Sequence, residues 1–471
     1  MTPFPTSFVW GAAAASYQIE GAAFAEGKGP SVWDVFCRQP GNIWQGDTGE
    51  VACDHYHRYQ EDVHLMKELG LRAYRFSISW PRVLPEGVGA VNERGLDFYD
   101  RLVDALLAAG IEPWVTLFHW DYPHAVFRRG GWLHPDSSEW FAAYVQVVVD
   151  RLSDRVRWWM PQNEPQCFIG LGHLTGEHAP GLRLPLADVL QAAHHSLLGH
   201  GKAVQVIRSR AKLNPSIGTA LVGVVKVPAT DRQEDIAAAR KATFAITERN
   251  CMNNTWFADP LLRGAYPDDG LRLFVDALPQ VRAADLETMC QKLDFYGVNI
   301  YFGEVVRAGD DGSWELEPPP TGQPLTTMGW PVTPEALYWG PKFFNERYGL
   351  PIAVTENGMA NCDWVALDGR VHDPQRIDFL TRYLRAYGRA IGEGVPGIAY
   401  FVWSIMDNFE WAHGYRQRFG LVYVDYGTQR RVIKDSGYWY RDVIRSGGRC
   451  LYATGGNSFG GSADWSPQLR G

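Results

Sequence analysis

Eight short apolar segments alternate with amphipathic helices along most of the chain, and this order is the strongest constraint on its fold. Helix-type spacing of apolar residues separates the segments, for example across residues 56–70 and 186–210. Strands that alternate with helices without a break predict an α/β fold, a (β/α)8 TIM barrel with extended βα loops. The predicted strands are residues 8–15, 71–77, 111–118, 156–163, 217–222, 294–299, 352–356 and 397–403.

The barrel accounts for nearly all of the 471 residues. Barrels of this class often exceed 250 residues as one domain, and no linker, repeat or charge run divides the chain. We therefore predict a single catalytic domain over residues 1–450. Residues 451–471 are rich in Gly and Ser and are predicted to form a loosely ordered C-terminal tail.

Composition excludes several classes of function. The net charge of −8 gives no electrostatic basis for binding nucleic acid or an anionic membrane, and no apolar run approaches the length of a membrane span. The seven cysteines are scattered, without the spacing of a disulfide framework or a zinc site. We expect no metal and no cofactor. Reduced thiols, together with an N-terminus that lacks a signal peptide, predict a cytoplasmic protein.

Two glutamates stand out among the polar residues at the predicted strand ends. Glu164 lies in the run PQNEP after the fourth strand, and Glu356 lies in the run VTENG at the end of the seventh. The carboxyl ends of the strands meet at one face of a barrel, where the chemistry of such folds is found. Two carboxyl groups in one cleft can divide acid and nucleophile roles, as glycosidic bond cleavage requires. Nineteen Trp residues fit either a large core or the stacking of sugar rings.

Seven motifs in order make the chain resemble glycoside hydrolase family one, the β-glucosidase family, over about residues 4–446. The motifs are FVWGAAAASYQIEG (8–21), YRFSISW (74–80), LFHWD (117–121), NEP (163–165), YGVNIY (296–301), TENG (355–358) and WSIMDNFEWAHGY (403–415). Each motif is weak alone, but the ordered set is very specific.

The resemblance implies a retaining mechanism that removes terminal non-reducing β-D-glucosyl residues. Glu356 would form a covalent glycosyl-enzyme, and Glu164 would act first as acid and then as base, with the two carboxyls about 5–5.5 Å apart. Arg75 and Tyr301 would hold Glu356 ionised and oriented. Asn163 would bind the sugar 2-hydroxyl. Asn299 is expected to support catalysis.

The same resemblance implies a sugar pocket with an aromatic floor. Gln18 and Glu410 would bind the 3-, 4- and 6-hydroxyls, His119 would reach the 3-hydroxyl, and Trp403 would lie under the ring. The other expected pocket residues are Trp411, Trp120, Phe419 and, on the leaving-group side, Trp330. The expected partners are small-molecule β-glucosides and oligosaccharides.

Two departures from the family pattern lie beside Glu164. Gln166 replaces the Trp that often follows Asn-Glu-Pro, and we expect it near the mouth of the cleft, where it would alter leaving-group preference. Pro161 and Gln162 replace the usual Thr-Phe and are expected to alter the local strand geometry.

Rival interpretations differ in substrate or in class. A 6-phospho-β-glycosidase is disfavoured because Glu410 would repel a phosphate. A thioglucosidase is disfavoured because those enzymes carry glutamine in place of the acid glutamate, whereas this chain has Glu164. A non-catalytic sugar-binding barrel is disfavoured because both glutamates are present. The sequence does not separate glucose from galactose or fucose, and it leaves aglycone choice and oligomeric state open.

Overall fold

The computed structural model describes residues 2–453. Its strands are β1 (Val9–Ala13), β2 (Ala73–Ser77), β3 (Glu112–Thr116), β4 (Trp158–Met160), β5 (Ser216–Ile217), β6 (Leu221–Val222), β7 (Val225–Pro228), β8 (Tyr296–Asn299), β9 (Gly303–Ala308), β10 (Trp314–Leu316), β11 (Ile352–Asn357), β12 (Gly397–Trp403), β13 (Val422–Asp425) and β14 (Arg430–Ile433).

Helices cover the outside of the barrel and parts of its loops. They are α1 (Ser16–Ile19), α2 (Val32–Phe36), α3 (His55–Glu68), α4 (Trp80–Val83), α5 (Glu93–Ala108), α6 (His124–Arg128), α7 (Ser137–Leu152), α8 (Pro165–Ile169), α9 (Leu186–Arg210), α10 (Gln233–Phe244), α11 (Thr255–Arg263), α12 (Asp268–Leu273), α13 (Asp285–Met289), α14 (Ala336–Tyr348), α15 (Pro374–Gly392) and α16 (Asp435–Ser446). Short 3-10 segments are Trp44–Gly46, Gly131–Leu133, Trp411–His413 and Arg449–Tyr452, and Gly170–Thr175 forms a π-helical turn.

The parallel sheet closes into the predicted (β/α)8 barrel, with one strand broken in two. The strand order is β5-β4-β3-β2-β1-β12-β11-β8-β6, so both ends of the sheet lie on residues 216–222. The predicted fifth strand is therefore split into β5, which pairs with β4, and β6, which pairs with β8. The break is at Gly218, where a Cβ would lie 2.3 Å from the Phe295 ring. That close approach fits glycine alone, and Gly218 still pairs on both sides, donating its N–H to the Trp159 carbonyl at 3.0 Å and forming a bridge to Phe295.

The barrel interior is filled by side chains of uneven size rather than left as a channel. Trp114 stacks on Trp158 with ring centroids 4.1 Å apart, and Phe401 and Phe295 pack on Trp114 at 4.9 and 5.5 Å. Small residues such as Ala73 complete this layer. This layer of side chains closes the barrel interior, so a ligand can enter only at the carboxyl ends of the strands.

The predicted extended loops carry structure of their own. After β6 and β8 the chain builds a three-stranded sheet in the order β10-β9-β7, and after β12 it forms the β13–β14 hairpin. The three-stranded sheet contributes Val225, Lys226, Glu304, Trp314 and Leu316 to the wall of a cleft.

The end of the described chain bears on the predicted domain boundary. Leu451 is buried within the 3-10 segment Arg449–Tyr452, so the packed region continues slightly beyond residue 450. The remainder of the predicted tail, residues 454–471, lies outside the described residues. Between residues 2 and 453 no helix combines the length and apolar character needed to cross a bilayer. All seven cysteines are free.

Candidate active site

One cavity of about 700 Å³ opens at the carboxyl ends of the barrel strands. This volume lies within the range of small-molecule sites. Of the residues predicted from the sequence, those that line it are His119, Trp120, Glu164, Asn299, Tyr301, Trp330, Glu356, Trp403, Glu410, Trp411 and Phe419. Gln18, Arg75 and Asn163 lie directly behind this lining and hydrogen-bond to it.

Glu356 lies on β11 and is almost fully buried, with a cation and a hydroxyl on its carboxylate. Arg75 Nη1 is 2.6 Å from Oε1, and the Tyr301 hydroxyl donates to Oε2 at 2.7 Å. Arg75 comes from β2 and is itself 1% exposed, so little solvent screens the pair. Its Nη1 also donates to the Thr355 carbonyl at 3.2 Å, which fixes the guanidinium against the strand that carries Glu356.

Glu164 lies at the start of α8 in a strained backbone conformation. Its φ of 45° is in the left-handed region, which costs a non-glycine residue energy and persists only where the surroundings enforce it. The Glu164 N–H donates to the Ala220 carbonyl at 2.8 Å, and Pro165 opens the helix. Asn299 Nδ2 donates to Oε1 at 2.8 Å, which leaves the other carboxyl oxygen free to carry a proton.

A chain of amide and hydroxyl groups connects the two carboxyls. Thr355 donates to Asn299 Oδ1 at 2.6 Å, so the Asn299 amide must direct its Nδ2 toward Glu164. Asn163 Oδ1 accepts from Arg75 Nη2 at 2.6 Å and from Asn299 Nδ2 at 3.0 Å. The residue type of Thr355 alone does not indicate this role, although its place directly before Glu356 is a signal for it.

The orientation of Asn163 also defines the state of His119. With Oδ1 occupied by two donors, Asn163 Nδ2 donates to His119 Nε2 at 3.1 Å, so that ring nitrogen is the acceptor. Burial and the charge of Arg75 hold the pKa of His119 well below its usual range. His119 is therefore neutral, and its Nδ1–H is a donor for a ligand.

The two carboxyls differ in their affinity for a proton. Burial and the neighbouring charge of Glu356 raise the pKa of Glu164 to about 8. Burial raises the pKa of Glu356 as well, whereas the charge of Arg75 and the hydrogen bond from Tyr301 lower it. A single proton shared by this pair therefore resides on Glu164, and Glu356 is the ionised member.

The far end of the cavity presents unsatisfied polar groups beside aromatic rings. Gln18 is fully buried, and its Nε2 donates to the Phe409 carbonyl at 2.8 Å and lies 3.5 Å from Glu410 Oε2. Gln18 Oε1 is buried without a partner among the described residues, so it offers an acceptor to a ligand. Burial, and then the charges of Glu356 and Glu164, raise the pKa of Glu410 to about 8.

Aromatic rings form the walls between these polar groups. The ring of Trp403 stacks against His119 with centroids 5.8 Å apart, and Trp411 packs on Trp120 at 4.4 Å. On the opposite side Trp330 contacts Tyr301 at 5.0 Å and Phe419 at 6.1 Å. The cavity thus joins a polar, aromatic-walled end with a more open side around Trp330.

The expectation for Gln166 is wrong. Its side chain is fully buried, and its amide pairs with the backbone of Val222 on β6 through two bonds of 3.4 Å. It thus holds α8 against the broken fifth strand instead of facing the cleft. Cys167 and His178, which the sequence analysis missed, line the cavity there. Cys167 could have been found by its place three residues after Glu164, in the helix α8, whereas His178 carries no such signal.

The altered residues before Asn163 have a structural role. Gln162 is buried and exchanges hydrogen bonds with Ser196 of α9, donating to its carbonyl at 3.0 Å and accepting from its hydroxyl at 3.2 Å. β4 is short, ending at Met160. Within residues 2–453 no group of three His, Cys, Asp or Glu side chains is placed to hold a metal ion.

Comparisons with known proteins place this arrangement in a family. The model for glycosyl hydrolase family 1 matches residues 1–449. The curated beta-glucosidase A of Thermotoga maritima is 46% identical over 446 residues, covering 94% of this chain and 98% of the relative. A protein of Bifidobacterium breve, described as a bifunctional beta-D-glucosidase/beta-D-fucosidase, is 42% identical and covers 94% of this chain and 98% of its own length.

A solved structure agrees with these matches. The beta-glucosidase from Thermotoga maritima in complex with glucoimidazole superimposes with a TM-score of 0.86 at 46% identity, covering 94% of this chain and 99% of that chain. With the family model matched over almost the whole length, this chain belongs to glycosyl hydrolase family 1.

Proposed function

We propose that this protein is a retaining β-glycosidase that hydrolyses terminal non-reducing β-D-glucosyl residues. The observation that carries the proposal is the asymmetry of the two buried carboxyls. Glu356 is held by Arg75 at 2.6 Å and by Tyr301 at 2.7 Å, whereas Glu164 receives the neutral amide donor of Asn299 at 2.8 Å and, within residues 2–453, no cation. One carboxyl is thereby prepared as a nucleophile and the other as an acid.

The first half of the reaction uses the two groups in these states. The Glu356 carboxylate attacks the anomeric carbon while Glu164 gives its proton to the glycosidic oxygen, so the bond to the leaving group breaks and an ester to Glu356 forms. Arg75 keeps the nucleophile ionised before attack. Proton transfer from a carboxyl whose pKa is about 8 is available at neutral pH.

The second half releases the sugar. Glu164, now ionised, takes a proton from water, whose oxygen attacks the anomeric carbon, and Glu356 departs as a carboxylate. Tyr301 and Arg75 stabilise the negative charge that returns to Glu356. Two displacements on opposite faces leave the β configuration unchanged.

The polar end of the cavity is the place for the glucosyl ring. We assign the 2-hydroxyl to Asn163, the 3-hydroxyl to the Nδ1–H of His119, and the 4- and 6-hydroxyls to Gln18 and Glu410. Trp403 lies under the ring, and Trp411 and Trp120 close the wall beside it. The unpartnered Gln18 Oε1 supports this assignment because a buried acceptor needs a donor such as a sugar hydroxyl.

The proposed glycone includes more than glucose. Relatives at 42–46% identity are described as beta-glucosidases, and one of them also as a beta-D-fucosidase. β-Fucosidase and β-galactosidase activities are therefore part of the proposal. Glu410 is assigned to the 6-hydroxyl, so its carboxyl would lie against the phosphate of a 6-phosphoglycoside. A 6-phospho-β-glycosidase therefore stays disfavoured. A cytoplasmic location stays a prediction, in keeping with the seven free cysteines.

The test compares the wild type with Glu356→Gly and Glu164→Ala on p-nitrophenyl β-glucoside. We expect no turnover by Glu356→Gly. Azide should restore product formation by Glu164→Ala and yield β-glycosyl azide, because a small anion needs no base. Proton NMR of the wild-type reaction should show the β-anomer of glucose first. A wild type inactive on every β-glycoside, near-normal rates for Glu356→Gly, or an α-anomer as first product would refute the proposal.

A further inference from the structure

The strand that carries Glu356 contains one residue more than either of its neighbours. On the β8 side, the two-residue step from Val354 to Glu356 is matched by a single step between consecutive residues of β8. On the β12 side, the three-residue step from Val354 to Asn357 is matched by a two-residue step of β12. The strand β11 therefore bulges around Thr355, and such a β-bulge changes the direction in which the following side chains point.

The bulge decides on which side of the barrel wall Glu356 lies. Side chains along a strand alternate between the two faces of the sheet. Ala353 belongs to the packed layer inside the barrel, whereas Val354 belongs to the core that also contains helix residues such as Leu384. With strict alternation, Glu356 would point outward with Val354. The extra residue reverses the alternation, and Glu356 lines the cavity instead.

The side-chain amide of Asn357 attaches the bulge to both neighbouring strands. Asn357 is fully buried, and its Nδ2 donates at 2.8 Å to the carbonyl of Ile300, the residue after β8. Its Oδ1 accepts from the Tyr400 hydroxyl of β12 at 2.6 Å. The Ile300 N–H in turn donates to the Glu356 carbonyl at 3.0 Å. Ile300 is therefore tied to Glu356 through its N–H and to Asn357 through its carbonyl.

These bonds also set the distances from Glu356 to the groups that hold its charge. Tyr301, whose hydroxyl donates to Glu356 Oε2 at 2.7 Å, directly follows Ile300. Arg75 Nη1 donates to Glu356 Oε1 and to the carbonyl of Thr355, which lies within the bulge. A shift of the bulge would therefore change both contacts that keep the carboxylate ionised.

We infer that Asn357, held in turn by Tyr400, is a positioning residue that fixes the bulge turning Glu356 into the cavity. Asn357 and Tyr400 both lie outside the lining of the cavity, so neither would touch the substrate. The inference rests on the proposed function, since it concerns the nucleophile of that reaction. A purely structural role of the amide would change stability alone, whereas a positioning role must also change the ionisation and the reactivity of Glu356.

The first variant is Asn357→Ala, which removes both side-chain hydrogen bonds. A misplacement of about 1 Å in an active site can cost on the order of 100-fold in rate, so we expect kcat for p-nitrophenyl β-glucoside to fall roughly 10- to 100-fold. The acid limb of the kcat/KM profile should move to higher pH, because a carboxylate that is less well paired with Arg75 and Tyr301 is more easily protonated. Unchanged kcat together with an unmoved acid limb would overturn the inference.

The second variant, Tyr400→Phe, is a smaller change and keeps the inference testable if Asn357→Ala does not fold. It removes one hydroxyl and leaves the Asn357 amide with its bond to Ile300. We expect the acid limb to move in the same direction and kcat to fall less than in Asn357→Ala. A Tyr400→Phe protein with wild-type kinetics would contradict the part given to Tyr400.

Tyr387→Phe is the matched control for the loss of a buried tyrosine hydroxyl. Tyr387 is also fully buried, and its hydroxyl donates at 2.8 Å to the carbonyl of Ile352, at the opposite end of β11. Its loss should lower the stability to urea without changing kcat or the acid limb. Equal kinetic changes in Tyr387→Phe and Tyr400→Phe would show a general effect of strand stability and would overturn the inference.

The double variant tests whether the two residues act as one unit. If Tyr400 acts through Asn357, the combination of Asn357→Ala with Tyr400→Phe should be no slower than Asn357→Ala alone, whereas independent effects on kcat would multiply and contradict the inference. If the wild type cleaves p-nitrophenyl β-glucoside and all of these variants match it, the inference is wrong and the proposed function stands. If the wild type cleaves no β-glycoside, the proposed function fails and the inference fails with it.

Discussion

Tyr301→Phe removes one hydroxyl from the site and keeps the ring that packs on Trp330 and Phe419. The lost bond is the 2.7 Å donation to Glu356 Oε2. It stabilises the Glu356 anion, which is consumed when the glycosyl-enzyme forms and regenerated when it breaks down. The substitution should therefore slow breakdown more than formation.

The magnitude follows from the burial of the pair. Hydrogen bonds to buried charged groups contribute about 1.5–3 kcal/mol, which corresponds to a roughly 10- to 150-fold change in rate if the full bond is present in the transition state. Charge on Glu356 is only partly restored at that point, so we expect a fall in kcat toward the lower end of this range. The same bond lowers the pKa of Glu356, so its loss raises that pKa and moves the acid limb of the pH profile to higher pH.

The assay is stopped-flow and steady-state hydrolysis of a dinitrophenyl β-glucoside, whose good leaving group makes breakdown of the glycosyl-enzyme limiting. We expect a burst of dinitrophenol equal to the enzyme, followed by slow turnover. Tyr296→Phe is the matched control because Tyr296 begins β8, the strand that leads to Tyr301, and its buried hydroxyl has no partner among the described residues. An unmoved acid limb together with unchanged kcat, or an equal effect in the control, would refute the role given to Tyr301.

Three further outcomes are expected. The wild-type pH profile of kcat/KM should be bell-shaped. Activity should fall as the pH rises through about 8, because Glu164 must hold its proton in the free enzyme. A profile that stays flat at alkaline pH would contradict the assignment of Glu164 as the acid. Glu410→Ala should lower kcat/KM for p-nitrophenyl β-glucoside by roughly 10- to 100-fold, because it removes a buried hydrogen-bonding partner of the sugar hydroxyls. Thermal unfolding should be unchanged, and an unchanged kcat/KM would remove Glu410 from the glucosyl pocket. Lys434→Met should destabilise the protein by about 1.5–3 kcal/mol in urea unfolding, because Lys434 Nζ lies 2.6 Å from each of two buried aspartates. Asp363 would then keep only Arg376 as a cation, and Asp407 only Arg418, among the described residues. The control Lys342→Met breaks a more exposed pair and should cost about 1 kcal/mol or less, so equal losses would contradict this reasoning.

The barrel itself could be predicted because its signals are local. Apolar runs, helix spacing and the polar residue after each strand all lie within a few residues of one another. The interrupted fifth strand could not be predicted this way, because the packing of Gly218 on the Phe295 ring joins two segments that are distant in sequence. The wall of the cavity also depends on distant segments, since β10 and the loop after α10 both line it only in the folded chain.

Gln166 shows the same limit at a single residue. Its place beside Glu164 indicated the cleft mouth, yet the turn at the start of α8 directs it to the Val222 backbone. A side chain next to a catalytic residue in sequence need not share its surroundings. The orientation of the Gln166 side chain depends on the group that hydrogen-bonds to its amide, and that group is the Val222 backbone on β6.

Local patterns and motifs in the chain predict the barrel, the strand ends at which Glu164 and Glu356 lie, and the polar and aromatic residues around them. Which carboxyl receives a cation and which keeps a proton depends on the folded arrangement. Arg75, Tyr301 and Asn299 come from strands β2 and β8 or just beyond them, and their distances to the two carboxyls depend on how the barrel closes. Electrostatic interactions depend on distance and on the exclusion of water, and neither is a property of neighbouring residues along the chain.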